Sequence, residues 1–222
     1  MGEKIQLKAS DGFTFDAYKA EPEGTPRGGI VLIQEIFGVN AHIREVTDRW
    51  AGHGYRVIAP ALFDRVEKNF DVGYDEAGVN AGRAIMGKLD IDKALLDCAA
   101  TAEALDGVSH KAILGYCFGG RMSWLGATNL NFDAAVVYYG GGIVNALDKK
   151  ASCPVMMHFG ELDKGITLDQ VDKIRAAVPE AQIFVYQGAD HGFACDHRGS
   201  YNEDATKQAN GRTLAFLAQH IG

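Results

Sequence analysis

One stretch of the sequence has residue types and spacing that could perform covalent chemistry: residues 111–122, where an apolar run ends in Gly-x-Cys-x-Gly-Gly. This pattern is typical of a nucleophile elbow, a sharp strand-to-helix turn, with Cys117 in the position that serine usually holds. The residues two before and two after the nucleophile approach each other in such a turn, so Gly115 and Gly119 would avoid a clash between β-carbons. The N-terminus of the following helix would favour negative charge on the thiol. The alternative interpretation is a glycine-rich turn around a buried structural cysteine.

A nucleophilic thiol needs a base, because its unperturbed pKa is about 8.5. Downstream of Cys117, Asp163 and His191 each follow a predicted strand, which is the nucleophile–acid–histidine order of α/β-hydrolases. The imidazole would accept the thiol proton, and the carboxylate would hold the imidazole in one tautomer. Competing residues are His197 for the base, and Asp133, Asp148 and Asp190 for the acid. A metal site built from a cysteine, a histidine and an aspartate is a further alternative, although an elbow has no reason to serve a metal.

The elements that must position these residues alternate between strands and helices. Strands are predicted at 5–7, 13–18, 30–33, 55–59, in the apolar run before the elbow, and at 134–139, 154–159 and 182–186. Helices are predicted after the caps Asn40 and Asp90, after the elbow, and after capping boxes at Thr167/Gln170 and Ser200/Glu203. The alternation indicates an α/β fold with a mostly parallel central sheet and helices on both faces. Segment 62–88 has no clean period, and we expect a loop and a short helix there.

Parallel strands place the loops that follow them at one end of the sheet. The loops with Cys117, Asp163 and His191 should therefore meet. An oxyanion would bind the backbone N–H of Phe118 and, from the loop after an earlier strand, the N–H of Ile36.

The totals exclude several classes of protein. The chain has 222 residues, so a single domain over 1–222 is expected. The net charge of −7 and the lack of a basic run argue against nucleic acid or anionic membrane as a partner. The sequence shows no apolar signal segment and no stretch long enough to span a bilayer. Four scattered cysteines are typical of reduced thiols in the cytoplasm.

With these motifs in place, the chain resembles the dienelactone hydrolase, or carboxymethylenebutenolidase, family. The resemblance is carried by residues 34–38, 55–63, 73–75, 115–120, Asp163 and 191–193. It implies an α/β-hydrolase fold and a Cys-His-Asp triad that cleaves an ester or lactone through an acyl-enzyme. It also implies that Glu35 pairs with the resting thiol until substrate displaces it. No metal and no cofactor are implied, and the protein is usually a monomer.

The chain departs from the family where the substrate's carboxylate is bound. The resemblance places an arginine where this chain has Cys195, and a second arginine in the middle segment has no secure match. Arg83 is nearby, and Arg121 and Arg198 are also candidates. A thiol is at best a weak donor. We therefore expect little discrimination between neutral and carboxylate-bearing lactones, unless one of these arginines takes over.

Three functions fit the sequence. The leading one is a hydrolase of carboxylic esters or lactones that acts on a small-molecule substrate. A thioesterase or a broad acyl-ester hydrolase would use the same residues. A module that binds a ligand or a thiol without turnover is the third, and the complete set of three residues argues against it.

Overall fold

The computed structural model describes residues 1–222 and has the α/β fold that the sequence predicts. The strands are β1 (Glu3–Lys8), β2 (Thr14–Ala20), β3 (Gly29–Ile33), β4 (Arg56–Pro60), β5 (Lys111–Tyr116), β6 (Ala134–Tyr138), β7 (Val155–Gly160) and β8 (Gln182–Tyr186). The helices are α1 (Ala41–Gly52), α2 (Glu76–Met86), α3 (Ile91–Glu103), α4 (Phe118–Asn129), α5 (Leu168–Ala177) and α6 (Glu203–His220). Short 3₁₀ turns lie at Leu62–Arg65 and Ile143–Asn145. No helix is both long and apolar enough to cross a membrane.

The chain divides into two compact units, 1–111 and 112–222. The first contains strands in the order β1-β2-β4-β3, with β3 and β4 parallel and the β1–β2 and β2–β4 pairs antiparallel. Every residue of β3 is buried, which explains its continuous apolar run. Helix α1 packs against β2 and β4, and α3 packs against β3 and β4. A single domain over 1–222 stays a prediction.

The second unit holds the strands β5-β6-β7-β8, all parallel to their neighbours. Strands β6 and β7 are buried at every residue, and β8 is partly exposed. Helix α4 packs against β6, while α6 contacts β6 and β7. Because these strands are parallel, the loops that follow β5, β7 and β8 lie at one edge of this unit's sheet.

Two of the four predicted helix caps are confirmed. The side chains of Asn40 and Asp90 accept hydrogen bonds from the main-chain N–H three residues later. Thr167 is the N-cap residue of α5 as predicted, but its side chain makes no capping hydrogen bond, so the capping box is wrong. The box at Ser200 is also wrong, because Asn202 caps α6 instead and accepts from Ala205 N–H at 3.0 Å.

Segment 62–88 contains the loop and short helix that the sequence predicts, and the structure explains the missing period. The buried positions of α2 are Gly78, Gly82 and Ile85, so two of them carry no apolar side chain. A β-carbon on Gly82 would lie 2.3 Å from the carbonyl oxygen of Ile36. The helix therefore packs by close backbone approach, which a hydrophobic pattern does not reveal.

A buried polar network crosses the second unit beside β7. The ring of His158 is fully buried, and its Nδ1 and Nε2 lie 2.8 and 2.9 Å from Tyr186 Oη and Thr213 Oγ1. The hydroxyl of Tyr138 lies 2.8 Å from Thr213 Oγ1 and donates to Asn210. Burial, with the charge of Arg212 adding to it, lowers the pKa of His158 to about 3.

This network should make the free energy of unfolding depend on pH. The folded-state pKa of His158 is depressed, so acid protonates the unfolded chain first and stability is lost as pH falls from about 6.5 toward 3. Between pH 7 and 5 the loss should be on the order of 2 kcal/mol. In urea titrations, the His158→Gln variant should not show this part of the loss in unfolding free energy. The variant of an exposed histidine, His53→Gln, should lose as much as the parent. An equal loss in His158→Gln and the parent would contradict the assignment.

Candidate active site

The elbow has the strand–turn–helix form that the sequence predicts. Strand β5 ends at Tyr116, Cys117 has φ 55° and ψ −114°, and α4 begins at Phe118. The N–H of Cys117 donates to the carbonyl of Tyr138 at 3.0 Å, which joins the turn to β6. A non-glycine residue at positive φ is strained, and such strain is concentrated at functional sites.

Close backbone contacts require the glycines of this turn. A β-carbon on Gly115 would lie 2.1 Å from Gly119 O, and one on Gly120 would lie 2.6 Å from Tyr138 O. Both contacts are shorter than any real β-carbon contact, and both partners are backbone atoms that cannot swing away. The glycines therefore let α4 begin directly against the ends of β5 and β6.

Three side chains of the second unit form a hydrogen-bonded row, the Cys117–His191–Asp163 cluster. His191 Nε2 lies 3.1 Å from Cys117 Sγ, and its Nδ1 lies 2.7 Å from Asp163 Oδ2. The other carboxylate oxygen of Asp163 accepts from Gly165 N–H at 2.8 Å and Ile166 N–H at 3.0 Å. Asp163 is only 3% exposed, whereas the His191 side chain is 28% exposed. The carboxylate is thus fixed by backbone donors, and it orients the imidazole toward the thiol.

The electrostatics of the cluster favour a protonated imidazole. Burial acts against the charged form of His191, but the electrostatic interaction with Cys117 and the hydrogen bonds with Asp163 and Cys117 outweigh it. Together they raise the pKa of His191 to about 10. Because this pKa is above the usual value of 6.5, the cluster favours the imidazolium form of His191. That form is the proton donor that a leaving group needs.

The chain around His191 is shaped by a glycine and an aromatic contact. Gly192 has φ 78°, and a β-carbon there would lie 2.5 Å from Arg198 Nη1. The ring of Tyr139, whose φ is 38°, meets the His191 ring edge-on with centroids 5.2 Å apart. Phe193 lies 5.3 Å from the Tyr139 ring. The sequence analysis did not identify Tyr139 as a site residue. Its position directly after β6, the strand that follows the elbow, could have indicated that it lies near the site.

The competing residues lie outside the cluster. Asp133, Asp148 and His197 are exposed, and the Asp190 carboxylate accepts from the N–H of His191. A metal would require ligand atoms that converge on one point. Here His191 stands between the thiol and the carboxylate and uses one ring nitrogen for each. The three groups form a hydrogen-bonded row, whereas the ligands of a metal converge on one point.

The predicted residues of the first unit follow β3. Glu35 is fully buried, and its carboxylate accepts a hydrogen bond from Tyr74 Oη at 3.2 Å. The Tyr74 ring also packs on Phe37 at 4.4 Å. Ile36 is buried next to Glu35. The roles predicted for Glu35 at the thiol and for Ile36 as an oxyanion donor stay predictions.

The four candidates for substrate binding differ in burial. Arg83 is exposed on α2, and Cys195 is completely buried. Arg198 is partly buried, with its guanidinium over Gly192. Arg121 is partly buried on α4, one turn after Cys117. Because it is completely buried, Cys195 has no solvent-exposed surface.

The close approach at Gly115 generates a prediction. Gly115→Ala should lower the melting temperature and the yield of folded protein, because the new methyl would meet two backbone atoms of Gly119 within 2.3 Å. The matched control is Gly211→Ala on the exposed face of α6, where a β-carbon meets nothing within 4 Å. That variant should gain about 0.5–1 kcal/mol from helix propensity. Unaltered melting of Gly115→Ala would refute the close approach.

Several known proteins match most of this chain. The model of the "Dienelactone hydrolase family" matches residues 15–221. The chain is 38% identical over 212 residues to the "Putative carboxymethylenebutenolidase" of Synechocystis sp., covering 86% of each chain. It is 31% identical over 229 residues to the "Carboxymethylenebutenolidase" of Pseudomonas putida, covering 97% of this chain and 96% of that one.

A solved structure is similar over the whole length. The "Putative Dienelactone Hydrolase" of Klebsiella pneumoniae superposes with a TM-score of 0.86 at 31% identity, covering 99% of this chain and 100% of the other. The family match and the identities extend over both units. The chain therefore belongs to the dienelactone hydrolase family, has the α/β-hydrolase fold, and is a carboxylic ester hydrolase.

Proposed function

We propose that the protein hydrolyses carboxylic ester or lactone bonds of a small-molecule substrate, with Cys117 as nucleophile, His191 as acid and base, and Asp163 as the residue that orients His191. The observation that carries this proposal is the row of hydrogen bonds from Sγ to Nε2 and from Nδ1 to Oδ2 at a strained elbow. Nucleophile, base and orienting carboxylate in hydrogen-bond reach are the signature of covalent acyl transfer.

The reaction would proceed in two halves. The Cys117 thiolate attacks the carbonyl carbon, the bond from that carbon to the leaving oxygen breaks, and His191 Nε2–H gives its proton to this oxygen. A thioester on Cys117 results; with a lactone, the released hydroxyl stays on the acyl group. Water then attacks the thioester while His191 accepts its proton. The carboxylic acid leaves, and the thiolate–imidazolium pair is restored.

The oxyanion of each tetrahedral intermediate requires donors in place before reaction. Phe118 begins α4, so its N–H belongs to the helix N-terminus, where the dipole favours negative charge. We retain Ile36 N–H as the second donor and Glu35 as the group that holds the resting thiol's proton, both on the family resemblance. The four free cysteines support a cytoplasmic location. The family resemblance supports a monomer of one domain that needs no metal or cofactor.

The nucleophile is tested by substitution. Cys117→Ala should lose at least about 10⁴-fold of its turnover of a short-chain aryl ester while its circular dichroism and melting stay unchanged. The control is Cys153→Ala, because burial raises the pKa of that thiol to about 11 and leaves it a poor nucleophile. Rapid quenching and mass spectrometry should find the acyl group on Cys117. Near-parental turnover by Cys117→Ala would end the proposal, and a panel of lactones, aryl esters and thioesters would rank the substrates.

The orienting carboxylate has its own signature. In Asp163→Asn the pKa of His191 should fall, because a charge-assisted hydrogen bond that stabilises the imidazolium is lost. Turnover should drop by roughly 10²- to 10⁴-fold, since the imidazole loses its tautomer. Nitrogen-15 NMR of histidine-labelled protein measures the first effect and ester hydrolysis measures the second. If neither quantity moves, Asp163 does not orient His191.

A further inference from the structure

Tyr139 lies at the point where the chain leaves β6, and no step of the proposed reaction uses it. The residue is completely buried. Its φ of 38° is a conformation that bulky side chains rarely adopt. In the second unit, the only other non-glycine residue with a positive φ is Cys117, at the tip of the elbow. Strained residues persist where the surrounding structure holds them, and they are concentrated at functional sites.

A hydrogen bond and a close backbone contact hold Tyr139 in this conformation. Its main-chain N–H donates to the carbonyl of His158 at 2.8 Å, which joins it to β7. The next residue, Gly140, has no room for a side chain. A β-carbon there would lie 2.8 Å from the carbonyl carbon of Gly120 and 2.9 Å from the main-chain nitrogen of Arg121. The backbone at Tyr139 is therefore fixed between β7 and the first turn of α4, directly after the elbow.

The Tyr139 ring packs against both parts of the chain that carry the reacting groups. Its centroid lies 5.2 Å from that of His191 and 5.3 Å from that of Phe193, and both pairs meet edge to face. It also lies 6.1 Å from the ring of Tyr116, the residue directly before Cys117. Aromatic pairs at these distances prefer specific mutual orientations. One rigid side chain thus contacts the histidine, its loop and the end of the strand that carries the nucleophile.

These contacts bear on the short distance between the imidazole and the thiol. His191 Nε2 lies 3.1 Å from Cys117 Sγ, and proton transfer requires this reach. On the other side of the ring, Asp163 holds Nδ1 at 2.7 Å. A single hydrogen bond to the carboxylate leaves the imidazole free to tilt, and the His191 side chain is 28% exposed. The contact with the Tyr139 ring limits that tilt.

The charges near His191 come from other residues. Four ionisable residues contact His191 or the residue after it: Asp163, Cys117, Asp190 and Arg198. Tyr139 is uncharged at neutral pH. Loss of its ring therefore changes the ionisation of the cluster through geometry and not through the loss of a charge.

We propose that Tyr139 is a positioning residue, whose ring holds the His191 imidazole at the distance and angle that proton transfer to and from Cys117 requires. The inference rests on the proposed function and adds a fourth side chain to the Cys117–His191–Asp163 cluster. The strained backbone is what directs the Tyr139 ring toward His191, because its neighbours on β7 and α4 leave it no other path.

Two variants separate the ring from the rest of the residue. Tyr139→Gly removes the ring and suits the positive φ. Its kcat for a short-chain aryl ester should fall about tenfold to a hundredfold at a nearly unchanged KM, because small displacements of reacting groups have effects of this size. Alkylation of Cys117 by iodoacetamide, followed by mass spectrometry across pH, should show a higher apparent pKa, since a misplaced imidazolium stabilises the thiolate less. Tyr139→Phe keeps the ring and should restore both properties.

The matched control is Phe184→Ala, which removes an aromatic ring from β8 of the same unit. Phe184 stacks on His158 with centroids 5.9 Å apart. Both ring deletions should lower the melting temperature, but only Tyr139→Gly should change kcat and the alkylation profile. If Tyr139→Gly does not fold, Tyr139→Leu fills much of the space without an aromatic ring and should show the same two changes.

Several results would overturn the positioning role of Tyr139. They are a parental kcat and alkylation profile in Tyr139→Gly, an equal loss of kcat in Phe184→Ala, and a loss in Tyr139→Phe as large as that in Tyr139→Gly. A change confined to KM would also overturn it, because the ring would then contact the substrate instead of setting the imidazole. Failure of the parent to hydrolyse any ester or lactone would reject the proposed function, while the alkylation profile of Tyr139→Gly would still report on the contact between His191 and Cys117.

Discussion

The close approach of β5 and α4 through Gly115 and Gly119 is the constraint on which the site depends. It forces Cys117 into a positive-φ conformation that costs on the order of 1–3 kcal/mol. The buried strands β5 and β6 offset that cost, and the hydrogen bond from Cys117 N–H to Tyr138 O anchors the turn on them. The strained turn places the Cys117 side chain at the N-terminus of α4.

The second unit keeps two buried or partly buried histidines in opposite protonation states. The ring nitrogens of His158 meet hydroxyl groups and no carboxylate, so burial, with the charge of Arg212 adding to it, lowers its pKa and the ring stays neutral. His191 interacts with Cys117 and with a fixed carboxylate, so its pKa rises although burial opposes the charge. The comparison shows that, when two histidines are both largely buried, the neighbouring groups decide whether the ring is protonated. The neutral ring serves packing, and the charged ring faces the thiol.

Family membership and the chain's own residues answer different questions. The match over residues 15–221 accounts for the fold and for ester hydrolysis. Recognition of a substrate depends on single side chains, and at the position where the family resemblance places an arginine this chain has a buried Cys195. A fold hosts many specificities because the loops at one sheet edge vary independently of the sheet.

The sequence by itself determined the strand–helix alternation, the elbow, and the order of Cys117, Asp163 and His191, because hydrophobic period and glycine spacing are local properties of the chain. Only the tertiary structure decided which groups meet: Asn202 in place of Ser200 at the start of α6, Tyr74 on Glu35, and the Tyr139 ring on His191. Helix α2 lacked a readable period because glycines make its contacts. Such contacts join residues far apart in the chain, and they depend on backbone paths and burial that no local pattern encodes.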